Sequence, residues 1–195
     1  MTAVTGPDGR ARCPWAAGEL YAAYHDDEWG VPLHGDRALF EKLTLEGFQS
    51  GLSWIVVLRK RPAFREAFAD FEPAVVAGFG EADVERLLAD AGIVRNRQKI
   101  EAAIANARAV VALQERDGEG ALDRLVWSFA PAAAAEHVPP ADLQDVPAAT
   151  STSKALAKAL KREGLRFVGP TTLYALMQSA GLVDDHVEGC FRAER

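Results

Sequence analysis

Residues 154–181 read KALAKALKREGLRFVGPTTLYALMQSAG, and the pattern is that of two helices joined by a tight turn. Ser151 or Ser153 can cap the first helix, Leu156 and Leu160 fall on its inward face, and Gly164 ends it. Lys154, Lys158, Lys161 and Arg162 then face mainly solvent. The connection Phe167-Val168-Gly169 meets Pro170, which suits the first position of a second helix running through Met177 or Gln178, with Gly181 closing it. Backbone N–H groups at the start of that second helix could bind a phosphate of DNA, helped by Thr171 or Thr172, while Lys158 and Lys161 add longer-range attraction. An ordinary helical hairpin with a solvated cationic face would read the same way.

Working outward, the rest of the chain repeats the helical period. Leu20–Tyr24 suits a short helix, and Asp36 can cap one carrying Leu39, Phe40, Leu43 and Phe48. The segment 51–58 is very apolar and contains Ile55, Val56 and Val57; its helical surroundings favour a buried helix over a strand. Pro62 is expected to start a short helix through Phe68, and Glu72-Pro73 to open another. Further helices are expected over Glu81–Ala89, Gln98–Leu113 and Leu122–Phe129. The alanine- and proline-rich segment Pro131–Pro147 reads as a meandering surface connection with one turn of helix at most. With no internal repeat and no strand series, the fold class is all-α. Residues 1–12 read as a flexible tail, 13–190 as a single helical domain and 191–195 as a second tail.

A chain of 195 residues supports one sizeable core, and 49% hydrophobic with 26% charged residues is globular composition. No apolar run is long enough for a membrane helix, and the first residues lack a secretory pattern, so a cytoplasmic protein is expected. A net charge of −6 argues against indiscriminate nucleic-acid binding but leaves room for a local cationic footprint.

Two cysteines and four histidines can be enumerated completely. His186 and Cys190 are four apart, so one helical turn would bring them together; Cys13 and His25 form a second pair. Together they make a candidate tetrahedral zinc site, one structural ion per chain, stapling the two chain ends. Four protein ligands leave no open position, which makes the metal structural. Unrelated buried cysteines and polar histidines are the bland reading.

Glu46 follows Leu39 and Leu43 on a helical face and so risks facing inward, where a carboxylate needs a cation or donors. Trp15, Tyr21, Tyr24, Trp29 and Trp54 surround it in sequence. A cationic methylated base could satisfy Glu46 while aromatic faces hold its ring. A solvated Glu46 beside an aromatic core is the alternative.

Several segments, taken in order, resemble the 3-methyladenine DNA glycosylase I family, a helix-hairpin-helix repair group. They are Cys13-Pro14-Trp15, the run Tyr24 to Gly30, Leu45 to Trp54, Ala91 to Ile100, Phe167-Val168-Gly169, and Asp184 to Cys190. The resemblance implies a helix-hairpin-helix fold, a structural zinc on Cys13, His25, His186 and Cys190, and a base pocket. In that pocket Glu46 reads the flipped base, Tyr24 and Trp54 stack on it, and Trp15 and Tyr21 bound it, with Trp29 as supporting wall. The family's DNA hairpin corresponds to Phe167-Val168-Gly169 followed by Pro170 and Thr171. The implied reaction is monofunctional release of 3-methyladenine from double-stranded DNA, catalysed at Glu46, leaving an abasic site. The region after Gly169 carries no catalytic aspartate, so the leaving group must do much of the work. A monomer suits a small enzyme that engages a duplex. Two other readings stay open: a zinc-stabilised DNA-binding module, and an alkyl-base glycosylase that also accepts 3-methylguanine.

Overall fold

The computed structural model describes residues 2–193. A two-stranded antiparallel ribbon, β1 (Val4–Thr5) and β2 (Ala11–Arg12), precedes ten α-helices. These are α1 (Glu19–Asp27), α2 (Asp36–Gln49), α3 (Trp54–Ala67), α4 (Pro73–Ala77), α5 (Glu81–Ala89), α6 (Arg97–Asp117), α7 (Ala121–Trp127), α8 (Ala130–Glu136), α9 (Ser151–Arg162) and α10 (Pro170–Ser179). The all-α expectation therefore holds for the body of the chain.

Helix α2 is the central rod. Leu39, Phe40, Leu43, Leu45 and Phe48 are buried around nearly its whole circumference, and α3, α6, α7 and α10 pack against it. A helix enclosed this way takes polar side chains inside with the apolar ones, at a cost wherever they go unpartnered. That enclosure takes Lys42 and Glu46 into the interior.

Several local expectations are corrected. Pro62 does not open a new helix; it sits inside the 14-residue α3, between the buried Val57-Leu58 pair and Phe64. Proline removes one backbone donor, and burial of residues on both sides of it keeps the helix continuous. Asp36 is not the cap of α2, whose N-cap is Gly35. Its carboxylate instead accepts the backbone N–H groups of Gly120 and Asp123 and the Gln114 amide, tying α2 to the start of α7. The cap of α9 is Thr150, ahead of both expected serines, with its hydroxyl accepting from the Ser153 N–H. Glu136 adds a second cap, accepting from the Ser151 and Thr152 N–H groups; the Ser151 hydroxyl, which also donates to it, does most to hold its carboxyl down at about 2. The alanine run forms the seven-residue α8 rather than one turn.

Residues 4–12, read as part of a tail, carry the ribbon, which two-residue strands are too short to announce by alternation. Arg12 in this ribbon is buried and bonds Asp8 and Asp26 through its guanidinium. Of the expected C-terminal tail, residues 194–195 lie outside the described residues, whereas the Phe191 N–H donates to the Ala11 carbonyl at 2.8 Å. No helix among the described residues is long and apolar enough to cross a membrane.

Candidate active site

Helices α1, α2, α3 and α10 converge on a cavity of about 330 Å³ lined by Trp15, Tyr21, Tyr24, Trp29, Glu46, Gln49 and Trp54, among others. All the residues expected to form a base pocket from their sequence positions are therefore brought to one place. Tyr24 and Trp54 stand with ring centroids 5.5 Å apart and planes tilted by 43°. Trp15 touches Tyr21 edge-on at 5.7 Å and Trp29 at 5.1 Å. The Tyr21 hydroxyl accepts the Ile55 N–H at 2.9 Å, which pins its ring to the first turn of α3.

Glu46 is 5% exposed. Ser179, at the end of α10, donates its hydroxyl to Glu46 Oε1 at 3.1 Å. Burial raises the Glu46 carboxyl to about 7, a rise that Lys42 and the Ser179 hydrogen bond partly oppose. The serine reaches Glu46 because α10 ends against the loop after α1: Leu33 N–H donates to the Ala180 carbonyl, and Gly181, at φ +77°, lies against the Val31-Pro32 backbone. A Cβ at position 181 would stand 2.7 Å from Pro32 N, so only glycine fits there.

Some residues at or near the cavity had not been singled out. Leu143 and Val146 line it from the Pro131–Pro147 segment, which is thus a wall of the site and more than a surface connection. Gln178 and Asp185 close another side; Asp185 is buried and accepts from Tyr174 Oη and Gln178 Nε2, both at 2.7 Å, and faces His137 Nε2 at 2.9 Å. Lys42, one turn before Glu46, is also buried, with Nζ 3.3 Å from Tyr24 Oη. Its helical phase, three residues after Leu39, was the available signal.

The chain ends meet beside this cavity. The ligand-type atoms of Cys13, His25 and Cys190 all lie within 4.8 Å of one another, and all three residues are buried. His25 Nε2 is 3.3 Å from Cys190 Sγ, while Asp26 Oδ1 holds His25 Nδ1 at 2.9 Å. The hydrogen bond shared with Cys13, and then His25, pull the Cys190 thiol below its ordinary range. The fourth expected ligand, His186, is not part of this group and not on a helix. Its ring nevertheless lies 5.0 Å from that of His25, with Nδ1 held by Asp184 at 2.5 Å and Nε2 buried without a partner. Gly30 makes room for it, since a Cβ there would come within 2.8 Å of His186 Cε1.

At the hairpin, Phe167 is exposed with φ +55°, Thr171, Lys158 and Lys161 are exposed, and Gly169 is the N-cap of α10. The Val168 side chain is buried, which leaves only its backbone for an external partner.

With this geometry in place, comparison with known proteins is informative. A family model described as methyladenine glycosylase matches residues 15–193. DNA-3-methyladenine glycosylase 1 of Escherichia coli strain K12 is 50% identical over 184 residues, covering 92% of this chain and 95% of that protein. DNA-3-methyladenine glycosylase of Haemophilus influenzae is 47% identical, covering 92% and 96%. A crystal structure of a 3-methyladenine DNA glycosylase I superposes with a TM-score of 0.86 at 49% identity, covering 92% of this chain and 98% of the other. The match spans both the helices that build the cavity and the terminal segments beside it, so the chain belongs to the methyladenine glycosylase family.

Proposed function

We propose that this chain hydrolyses the N-glycosidic bond of cationic 3-methyladenine in alkylated double-stranded DNA, releasing the free base and leaving an abasic site. The observation that carries the reading is a buried carboxylate, Glu46, lining an aromatic cavity beside the Tyr24–Trp54 pair. Ring faces and one anion are what a flat, positively charged base requires. The names of the related enzymes support the same substrate.

Methylation at N3 leaves the adenine ring positively charged and weakens its bond to deoxyribose. After the nucleotide is flipped, Trp15, Tyr21, Tyr24 and Trp54 hold the ring and Glu46 selects it by charge and hydrogen bonding. Water attacks C1′, the C1′–N9 bond breaks with its electron pair passing to the base, and the water's surplus proton goes to solvent. The base departs neutral, so little acid catalysis is needed, and ordinary adenine, which lacks the charge, is a poor substrate.

Duplex binding is assigned to α9 and α10, acting as a helix-hairpin-helix element. Phe167, Val168 and Gly169 form its turn, Thr171 and the α10 backbone contact phosphate, and Lys158 and Lys161 supply attraction. Cys13, His25, Cys190 and His186 would hold one structural zinc. The buried, unpartnered Nε2 of His186 next to three converging ligand atoms supports that fit. Zinc bound there would cross-link the chain ends and take no part in hydrolysis. The enzyme is assigned to the cytoplasm as a monomer.

The test uses duplexes that each carry one defined lesion, with the liberated base identified by mass spectrometry. Free 3-methyladenine and an alkali-labile site are expected. Lesion binding without any freed base would reduce the protein to a DNA-binding module; release of 3-methylguanine at a comparable rate would widen the substrate class.

A further inference from the structure

Lysine is rarely enclosed without an ionic partner. Lys42 is 8% exposed, and among the described residues its ammonium makes no ion pair; its one hydrogen bond goes to Tyr24 Oη at 3.3 Å. Nζ lies 4.9 Å from the centroid of the Tyr24 ring and 5.6 Å from that of Trp54. Those are the two rings that bound the base cavity. Lys42 does not line that cavity; it lines a second one of about 220 Å³ on the other side, with Glu28, Arg61 and Ser179. The amine of Lys42 therefore sits behind the aromatic pair, on the same helix as Glu46 and one turn away from it.

We propose that Lys42 is a positioning residue that braces Tyr24 from behind and favours the carboxylate form of Glu46 while the cavity is empty, so that more of the anion is in place when a cationic base arrives. This rests on the base-pocket reading of Glu46. Without a nearby cation, a carboxyl enclosed by aromatic rings takes up a proton instead of holding its charge, and a neutral acid offers a cationic ring little. The other groups facing the pair do not supply a substitute. Tyr24 of α1 is a phenol, and Glu28 just after α1 and Glu41 on α2 are acids, so none of them brings positive charge. On α3, Arg61 is engaged by Glu28 at 2.7 Å and Arg65 by Glu41 at 2.8 Å. Ser179 of α10 contributes a neutral hydroxyl, and Asp185, which lines the same cavity, is a carboxylate. Burial pulls the Lys42 ammonium down, and Glu46, then Glu28, oppose this.

Lys42→Met conserves volume and removes the charge; Lys42→Gln keeps a donor for Tyr24 without charge; Lys42→Arg keeps the charge. The readouts are the acid limb of kcat/KM on a 3-methyladenine duplex and a 13C-carboxyl NMR titration of Glu46 in the base-free protein, with thermal unfolding as the check on folding. Both uncharged variants should move the limb and the NMR midpoint up by about one pH unit, which is about tenfold in rate below the midpoint. Lys42→Arg should stay close to the parent. An unmoved midpoint in folded Lys42→Met and Lys42→Gln overturns the proposal. Because the NMR titration needs no turnover, it separates that failure from a failure of the base-pocket reading, which would appear as full base release by Glu46→Gln.

Discussion

Ser179 and Glu46 are 133 residues apart in sequence, yet the serine hydroxyl donates to Glu46 Oε1 at 3.1 Å, joining the end of α10 to the last turn of α2. A hydrogen bond to a buried carboxylate favours its charged form. Ser179→Ala should therefore raise the Glu46 pKa further above about 7. Base release should fall roughly tenfold at pH 6.5, the scale of one bond to a charged group, with a much smaller loss at pH 8.5. A loss of equal size at both pH values would show that the hydroxyl acts on shape and not on charge.

Glu46→Gln tests the carboxylate itself. Release of 3-methyladenine should drop by about a hundredfold or more, on the scale of removing one charged group from a transition state, while duplex affinity changes little. The parent should also lose kcat/KM as pH falls through about 7, since the active form is the carboxylate. The variant should lack that limb. Equal release by variant and parent would remove Glu46 from the mechanism.

The same carboxyl has a stability signature. Its folded pKa of about 7 lies above the ordinary 4.5, so the folded protein binds the extra proton between those values. Stability is fully present below about 4.5 and is lost as pH rises through about 7. At pH 8 Glu46→Gln should be more stable than the parent, by up to about 3 kcal/mol from a shift of this size. Denaturant melts at pH 5 and pH 8 measure it; a variant less stable than the parent at pH 8 contradicts a strained, functional carboxylate.

What could be read in advance follows a physical divide. The burial of Glu46 was legible because helical phase turns it inward; Tyr24 and Trp54 were named through the resemblance to the glycosylase family, and their rings line the same cavity. The α9–α10 hairpin was legible from Gly164, Gly169 and Pro170, whose backbone chemistry is local. Leu143 and Val146 were not, because an alanine- and proline-rich segment has no periodicity to say which face it presents. Asp185 was missed because its partners, Tyr174, Gln178 and His137, are assembled only by the tertiary fold. The expected helical turn bringing His186 to Cys190 is absent; Asp184 and the space over Gly30 orient the ring instead.

Replacing Lys158 and Lys161 with Gln should weaken binding to any duplex and flatten its salt dependence. Each lost phosphate contact lowers the slope of log K against log salt by about 0.9, so a change of between 1 and 2 is expected. Single-turnover release at saturating enzyme should be unaffected, because both side chains are solvent-exposed on α9, on the side away from its buried leucines. An unaltered slope would put these lysines outside the footprint.

Metal removal makes the last prediction. Three converging ligand atoms and the free Nε2 of His186 imply one zinc per chain by elemental analysis. Zinc held by both chain ends stabilises only the folded protein, so stripping it with a strong chelator should cost about 3–4 kcal/mol and lower the melting midpoint by about 10 °C. His186→Ala should bind zinc more weakly and release it at lower chelator concentration, while Asp184→Ala, which loses the bonds to His186 Nδ1 and to the His186 N–H, should show a smaller effect of the same sign. The cavity is built mainly by α1, α2, α3 and α10, but Trp15 and Asp185 flank ligands, so the stripped protein should release base more slowly at temperatures where it remains folded. Correctly folded protein purified without zinc, with an unchanged midpoint, would defeat the assignment.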